Sequence, residues 1–252
     1  DLVSSRLGMR VELAGDIRLA ILPRPSMSAE TVRLLPAQGG AVEPVATADL
    51  IEASLGLSAL IKGQLEIQHL GLQRIAVTLE ERDDGSIGLR GWPESAAPDD
   101  TESAPIQMDR LSLSNSAVTV VFKDGSSRKI EGLGLELSGA LPTGPLTWEG
   151  GFSTGGERVS TTGKMRPATE ADVMSVKADI GLRGGHADIS GRLDSGGFAG
   201  RVQVEGAELN SFAAAIQALA SGEAGAVPVP QQAFALDVQV DRTAGVSKAT
   251  SR

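Results

Sequence analysis

The chain has 252 residues, 41% of them hydrophobic, and a formal net charge of −9, so it holds enough apolar mass to fold and too little positive charge to suit nucleic acid. Aromatic residues make up only 3%, with five Phe, two Trp and no Tyr, which leaves Val, Leu, Ile and Ala to fill the interior. The absence of Cys excludes thiol catalysis, disulfides and thiolate metal sites.

Period-two alternation starts at once. Met9, Val11 and Leu13, then Ile17, Leu19 and Ile21, share parity and so face one side of a strand. Ser58 to Lys62 suits a single helical turn. The pattern resumes at Leu65 and Ile67, and again at Ile75, Val77 and Leu79, before the Asp84-Gly85 turn signal. An acidic, Pro-rich loop follows at 93–105. It suggests a soft subdivision into segments 1–95 and 106–252 around a 96–105 linker.

The second half repeats the grammar. Val118, Val120 and Phe122 lead to Asp124-Gly125, and Leu133, Leu135 and Leu137 follow. Gly155-Gly156 comes after Phe152, Gly184-Gly185 after Val176, Ala178, Ile180 and Leu182, and Gly196-Gly197 after Leu193. Val202 and Val204 alternate next. Asp-Gly and Gly-Gly supply the positive φ that tight hairpins need, so an antiparallel meander is expected. Phe212, Ile216 and Leu219 fall at helical spacing within 211–220, with Asn210 or Ser211 available as N-cap. A second loop is expected at 221–232. The longest apolar runs fall well short of the roughly 20 residues of a membrane-spanning helix. Asp1 is not an initiator Met and no signal-like stretch follows it, so removal of the natural N-terminus is expected.

Motifs for chemistry lack their contexts. Gly151 to Gly155 matches G-x-S-x-G, with Ser153 at its centre and His186, Asp172 and Asp179 in hydrolase order, but β-prone residues follow where the elbow needs a helix. Ser126 and Lys129 satisfy S-x-x-K inside a turn, where no helix holds the Lys against the Ser. His69 and His186 sit in no metal-ligand spacing, so no metal site is expected. His69 shares parity with Ile67 and is expected to cap that strand's apolar face, and His186 to be exposed beside a turn. No catalytic residue and no cofactor is expected.

The sheet itself remains. One-sided strands with a single helix can close into a sandwich or barrel, or leave a concave apolar face open for a greasy ligand. The run Gly15 to Pro25, then Val45 to Ala48, Leu57 to Ile67, and Val77 to Glu80 with Asp84-Gly85 and Trp92, resembles the N-terminal region of the AsmA family. Leu111 to Val118, Gly144-Pro145 before Trp148 to Gly150, and Gly200 to Val204 with the 209–219 helix continue the likeness.

The resemblance implies a mainly β chain whose long curved antiparallel sheet forms an open groove, with one or two short helices. It also implies a periplasmic body tethered to the bacterial inner membrane by an N-terminal helix that this sequence does not contain, and partners in phospholipid acyl chains and other envelope proteins. The implied role is phospholipid transport and outer-membrane homeostasis; a scaffold or chaperone for outer-membrane proteins is the alternative. The expected groove wall is Leu65, Ile67, Ile75, Val77, Leu79, Val118, Val120, Phe122, Leu133, Leu135, Leu137, Val202 and Val204. The chain departs from the family at both ends, lacking the anchor before Asp1 and the further β elements expected after Val240.

Overall fold

Alternating apolar and polar residues make strands that are greasy on one side, and short Gly-containing turns fold such strands back on themselves. The computed structural model of the chain describes residues 9–21, 24–36, 43–62, 66–83, 85–90, 108–141, 144–167, 173–194, 197–221, 229–243 and 246–251. It is mainly β, antiparallel-rich and supplemented by two short helices, as expected. The chain divides into two compact units, Asp1–Gly134 and Leu135–Arg252. The anticipated linker at 96–105 lies outside the described residues.

The first unit contains β1 (Met9–Leu13), β2 (Ile17–Ala20), β3 (Ser26–Pro36), β4 (Ala46–Leu55), α1 (Leu57–Ile61), β5 (Ile67–Gln73), β6 (Ala76–Glu81), β7 (Ile87–Leu89) and β8 (Met108–Val121). β9 (Ser127–Leu141) begins in this unit and ends in the second. The strand order is β1-β3-β4-β5-β8-β9, with β2 beside β3 and β6 bridging β4, β7 and β8. Here the meander expectation fails in part. β8 runs parallel to both β5 and β6, because the chain between β6 and β8 is long enough to cross back and start again in the same direction.

A crease crosses this sheet. Thr31 in β3, Arg74 between β5 and β6, Asn115 in β8 and Gly132 in β9 have φ of 52°, 48°, 51° and 57°. The first three coincide with a jump in pairing. β4 leaves β5 after Leu50↔Gln73 and meets β6 at Thr47↔Ala76, while β8 leaves β5 after Gln73↔Ser114 and meets β6 at Ala76↔Ala117. Apolar parity switches at the same line in the strands that cross it. Ile51 and Ala53 give way to Ala48 and Ala46, Leu70 and Leu72 to Val77 and Leu79, and Leu111 and Leu113 to Val118 and Val120. The register is the same on both sides of the line, so no strand carries an extra residue; a left-handed residue in β3, between β5 and β6, and in β8 turns the chain over by one position, and the apolar residues stay on one face across the crease.

Such a backbone costs a non-glycine residue about 1–2 kcal/mol, and local bonds hold it in place. Arg74 Nε donates to Asp49 Oδ2 at 2.6 Å. The Ser116 hydroxyl, only 1% exposed, accepts the Ile75 N–H at 3.2 Å and donates to the Ser114 carbonyl at 3.1 Å.

The second unit continues with β10 (Leu146–Thr154), β11 (Glu157–Pro167), β12 (Met174–Leu182), β13 (Gly185–Asp194), β14 (Gly197–Gly206), α2 (Leu209–Ser221), β15 (Phe234–Thr243) and β16 (Val246–Ser251). From β10 to β16 each strand pairs with its neighbour in the chain, always antiparallel and without a register shift. Gly155, Gly156 and Gly184 take positive φ in two of the hairpin turns. The Glu208 carbonyl accepts the first helical N–H, from Phe212, so α2 begins two residues earlier than its spacing suggested. The Ser211 hydroxyl donates to the Glu208 carboxylate instead of capping the helix.

Candidate functional site: two apolar sheet faces

Register decides which residues share a face, because directly paired residues point the same way. In the second unit one cross-strand row reads Trp148, Gly163, Ala178, Ile189, Val202 and Val238. The next row on that face reads Gly150, Thr161, Ile180, Ala187, Val204 and Leu236. The intervening row, on the other face, reads Glu149, Thr162, Asp179, Asp188, Gln203 and Asp237. One face is apolar across six strands and its reverse is polar.

Bare glycines keep the apolar face level. A side-chain atom on Gly163 would collide with the six-membered ring of Trp148, so the indole lies over the glycine opposite it. Its N–H is satisfied on the same face by Thr161 Oγ1 at 3.1 Å. Phe234 lies over Gly206, and Phe198 over Gly191 and Gly200, in the same manner. Flat rings over glycine bury aromatic area without raising ridges.

Helix α2 covers only one end of this face. Ala215 and Ala218 are 0% exposed, Phe212 packs on Phe234 with ring centroids 5.0 Å apart, and the helix crosses onto β11, where Val159 is 4% exposed. At the same end the buried Glu157 carboxylate is paired with Arg183. Beyond the helix, Trp148, Met165, Val176, Ile189, Val202 and Val240 are half-exposed.

The first unit also presents an apolar face. Ile17 and Leu19 of β2 pair with Ala29 and Met27 of β3, which pair with Ile51 and Ala53, then Leu72 and Leu70, then Leu113 and Leu111. At the outer end this face is bare, with Ile17 59%, Leu19 70% and Ile21 67% exposed. Among the described residues, no side chain larger than that of Ser116 is fully buried.

Of the expected wall residues, Val77 and Leu79 pair with Val118 and Val120 on one face. Val202 and Val204 pair with Val238 and Leu236 in the second unit. Leu133, Leu135 and Leu137 are half-buried along β9 while Glu136 between them is exposed. Ile75 sits at the crease, and Phe122 follows β8 with the Arg128 guanidinium over its ring, 5.7 Å from the ring centroid. Leu65 lies outside the described residues. Ile67 pairs with Leu55 of β4 beyond a register irregularity, whereas His69, paired with Ser54 and opposite in parity to Leu70 and Leu72, exchanges a 2.8 Å hydrogen bond with Ser112 Oγ. His69 thus lies on the polar side of β5 and caps no apolar face.

The candidate serines sit in β-hairpins. Ser153 pairs with Arg158 across the β10–β11 turn, with a strand after it and no helix. Ser126 donates both its hydroxyl, at 2.5 Å, and its N–H, at 2.8 Å, to Asp124 Oδ1, while Lys129 is bound to Glu131 at 2.7 Å. Those bonds, the side-chain one foremost, hold the Asp124 carboxyl below its ordinary value. One grouping has no signature in the sequence spacing: Asp179, His186 and Asp188 come together on the polar face of the second unit. Among the described residues no helix is long and apolar enough to cross a membrane. No described protein family, curated protein or solved structure matches this chain.

Proposed function

We propose that the two apolar sheet faces shelter the acyl chains of phospholipids, and that the protein supports lipid movement across a bacterial envelope in the manner of the AsmA-like proteins it resembles. The carrying observation is the six-strand apolar face of the second unit, level over its glycines and, among the described residues, covered at one end by α2. An aliphatic surface of this kind holds acyl chains without directional bonds, at about 0.8 kcal/mol per buried CH₂. It offers no convergent polar groups on that face to fix a headgroup, which suits a ligand that moves along it. On this reading the protein works in the periplasm, tethered to the inner membrane, and performs no catalysis.

Mass spectrometry of the protein purified from a bacterial host tests the reading. Phospholipid should co-purify, and Val120→Asp and Val202→Asp should each reduce it while circular dichroism stays β-rich. A new carboxylate on an open face still reaches water, whereas in a closed core it would be buried and unpaired at a cost of several kcal/mol. A lipid-free wild type, or folded variants with unchanged lipid, would overturn the proposal and favour a scaffold for envelope proteins.

A further inference from the structure

We propose that Asp179, His186 and Asp188 form a binding site for a divalent cation of the first-row transition class on the polar face of the second unit. The three residues come from two adjacent strands and point the same way. His186 and Asp188 are two apart on β13, and Asp179 of β12 is directly opposite Asp188. One ligand atom from each lies within 4.8 Å of the other two. His186 Nε2 is 3.5 Å from Asp188 Oδ2, and Glu205 Oε1 of β14 lies 3.3 Å from the same nitrogen beside the group. Ligands around zinc stand about 2.0–2.2 Å from the ion, so modest side-chain rotation closes the set.

Two further observations distinguish this group from an ordinary solvated acidic surface. First, Asp179 and Asp188 are a directly opposed like-charged pair, an arrangement that destabilises a ladder and that a cation between the two carboxylates would relieve. Among the described residues Asp179 has no salt-bridge partner; Lys177 and Lys164 occupy the neighbouring row and pair with each other in register. Second, the nitrogen donor at the centre sets the class. Calcium and magnesium take oxygen ligands, whereas an imidazole between carboxylates suits zinc and its neighbours. Bound there, the ion clips β12 and β13 together on the face opposite the apolar one.

Titration of the full chain with ZnCl₂, followed by calorimetry and by thermal unfolding, tests the site. One ion should bind per chain and raise the melting temperature. Asp179→Asn and His186→Ala should each weaken binding about tenfold or more, whereas His69→Ala, which removes the other histidine, should leave it unchanged. Asp188→Asn, nearly isosteric at an exposed position, serves if His186→Ala does not fold. Absence of saturable binding, binding that survives these ligand substitutions, or equal competition by Ca²⁺ would overturn the proposal.

Discussion

The two units meet the same requirement, a sheet with one apolar side, by different means. In the second, each strand from β10 to β16 keeps one register with its neighbour, and parity alone decides which side a residue faces. In the first, a crease shifts parity in several strands at once, and residues other than glycine adopt left-handed backbone to keep the apolar side continuous. The regular unit relies on missing side chains, with rings laid over Gly163 and Gly206. The creased unit relies on polar ties at Arg74, Asp49 and Ser116. Regularity therefore moves the sensitive positions from the backbone to the space above it.

The sharpest way to break this contrast is at the one covered part of the second unit. Ala218, 0% exposed on the inner side of α2, should not tolerate a carboxylate: Ala218→Asp buries an unpaired charge and should cost about 3–5 kcal/mol. Chemical denaturation with hydrogen exchange should show the loss in Leu135–Arg252. A tolerated Ala218→Asp would mean that the helix does not seal its end of the sheet.

Next in size is the glycine beneath the indole. Gly163→Ala places a methyl group against Trp148 and should destabilise by about 1–3 kcal/mol. In a Trp148→Ala background the same change should cost little, a coupling that a double-mutant cycle reads directly. Additive effects would show that ring and glycine are independent. At the crease, Asn115→Val should cost about 1–2 kcal/mol and Asn115→Gly nothing, because only the β-branched residue resists φ of 51°. Equal effects from both would remove the strained backbone from the account.

The smallest effect is electrostatic. Ser126→Ala should let the Asp124 carboxyl rise toward its ordinary value, as carbon-detected NMR titration would show. Because the folded-state value is depressed, the associated stability is present at neutral pH and lost as pH falls through that value. Asp124 is fully exposed, so the melting temperature should barely move.

Much of the fold was legible where chain-local signals decide it. The Asp124-Gly125 and Gly155-Gly156 turns, the alternation through Val176 to Leu182, and the helical spacing of Phe212, Ile216 and Leu219 all point to elements that form. What escaped depends on pairing between distant segments. Period two at Ile67 and His69 hides the irregularity between them, which appears only in their pairing with Leu55 and Ser54 of β4. Thr31, Arg74 and Asn115 give no warning of left-handed backbone, which glycine usually signals. The apposition of Trp148 with Gly163, and of Asp179 with Asp188, likewise appears only once register is known.

Strand order also carries a kinetic consequence. In the second unit nearly every contact that closes the sheet lies between consecutive strands, with α2 as the one substantial excursion, between β14 and β15. In the first, β8 must return across the whole stretch from β6 before it can pair with β5, and that closure entropy falls due before any contact rewards it. A refolding chain should therefore zip Leu135–Arg252 from hairpin to hairpin while Asp1–Gly134 still searches for its crossover. The bare strand β2, with Leu19 and Ile21 uncovered, belongs to the slower unit. The interval in which the protein is most exposed to aggregation is set by the crossover, and not by the run of hairpins in the meander.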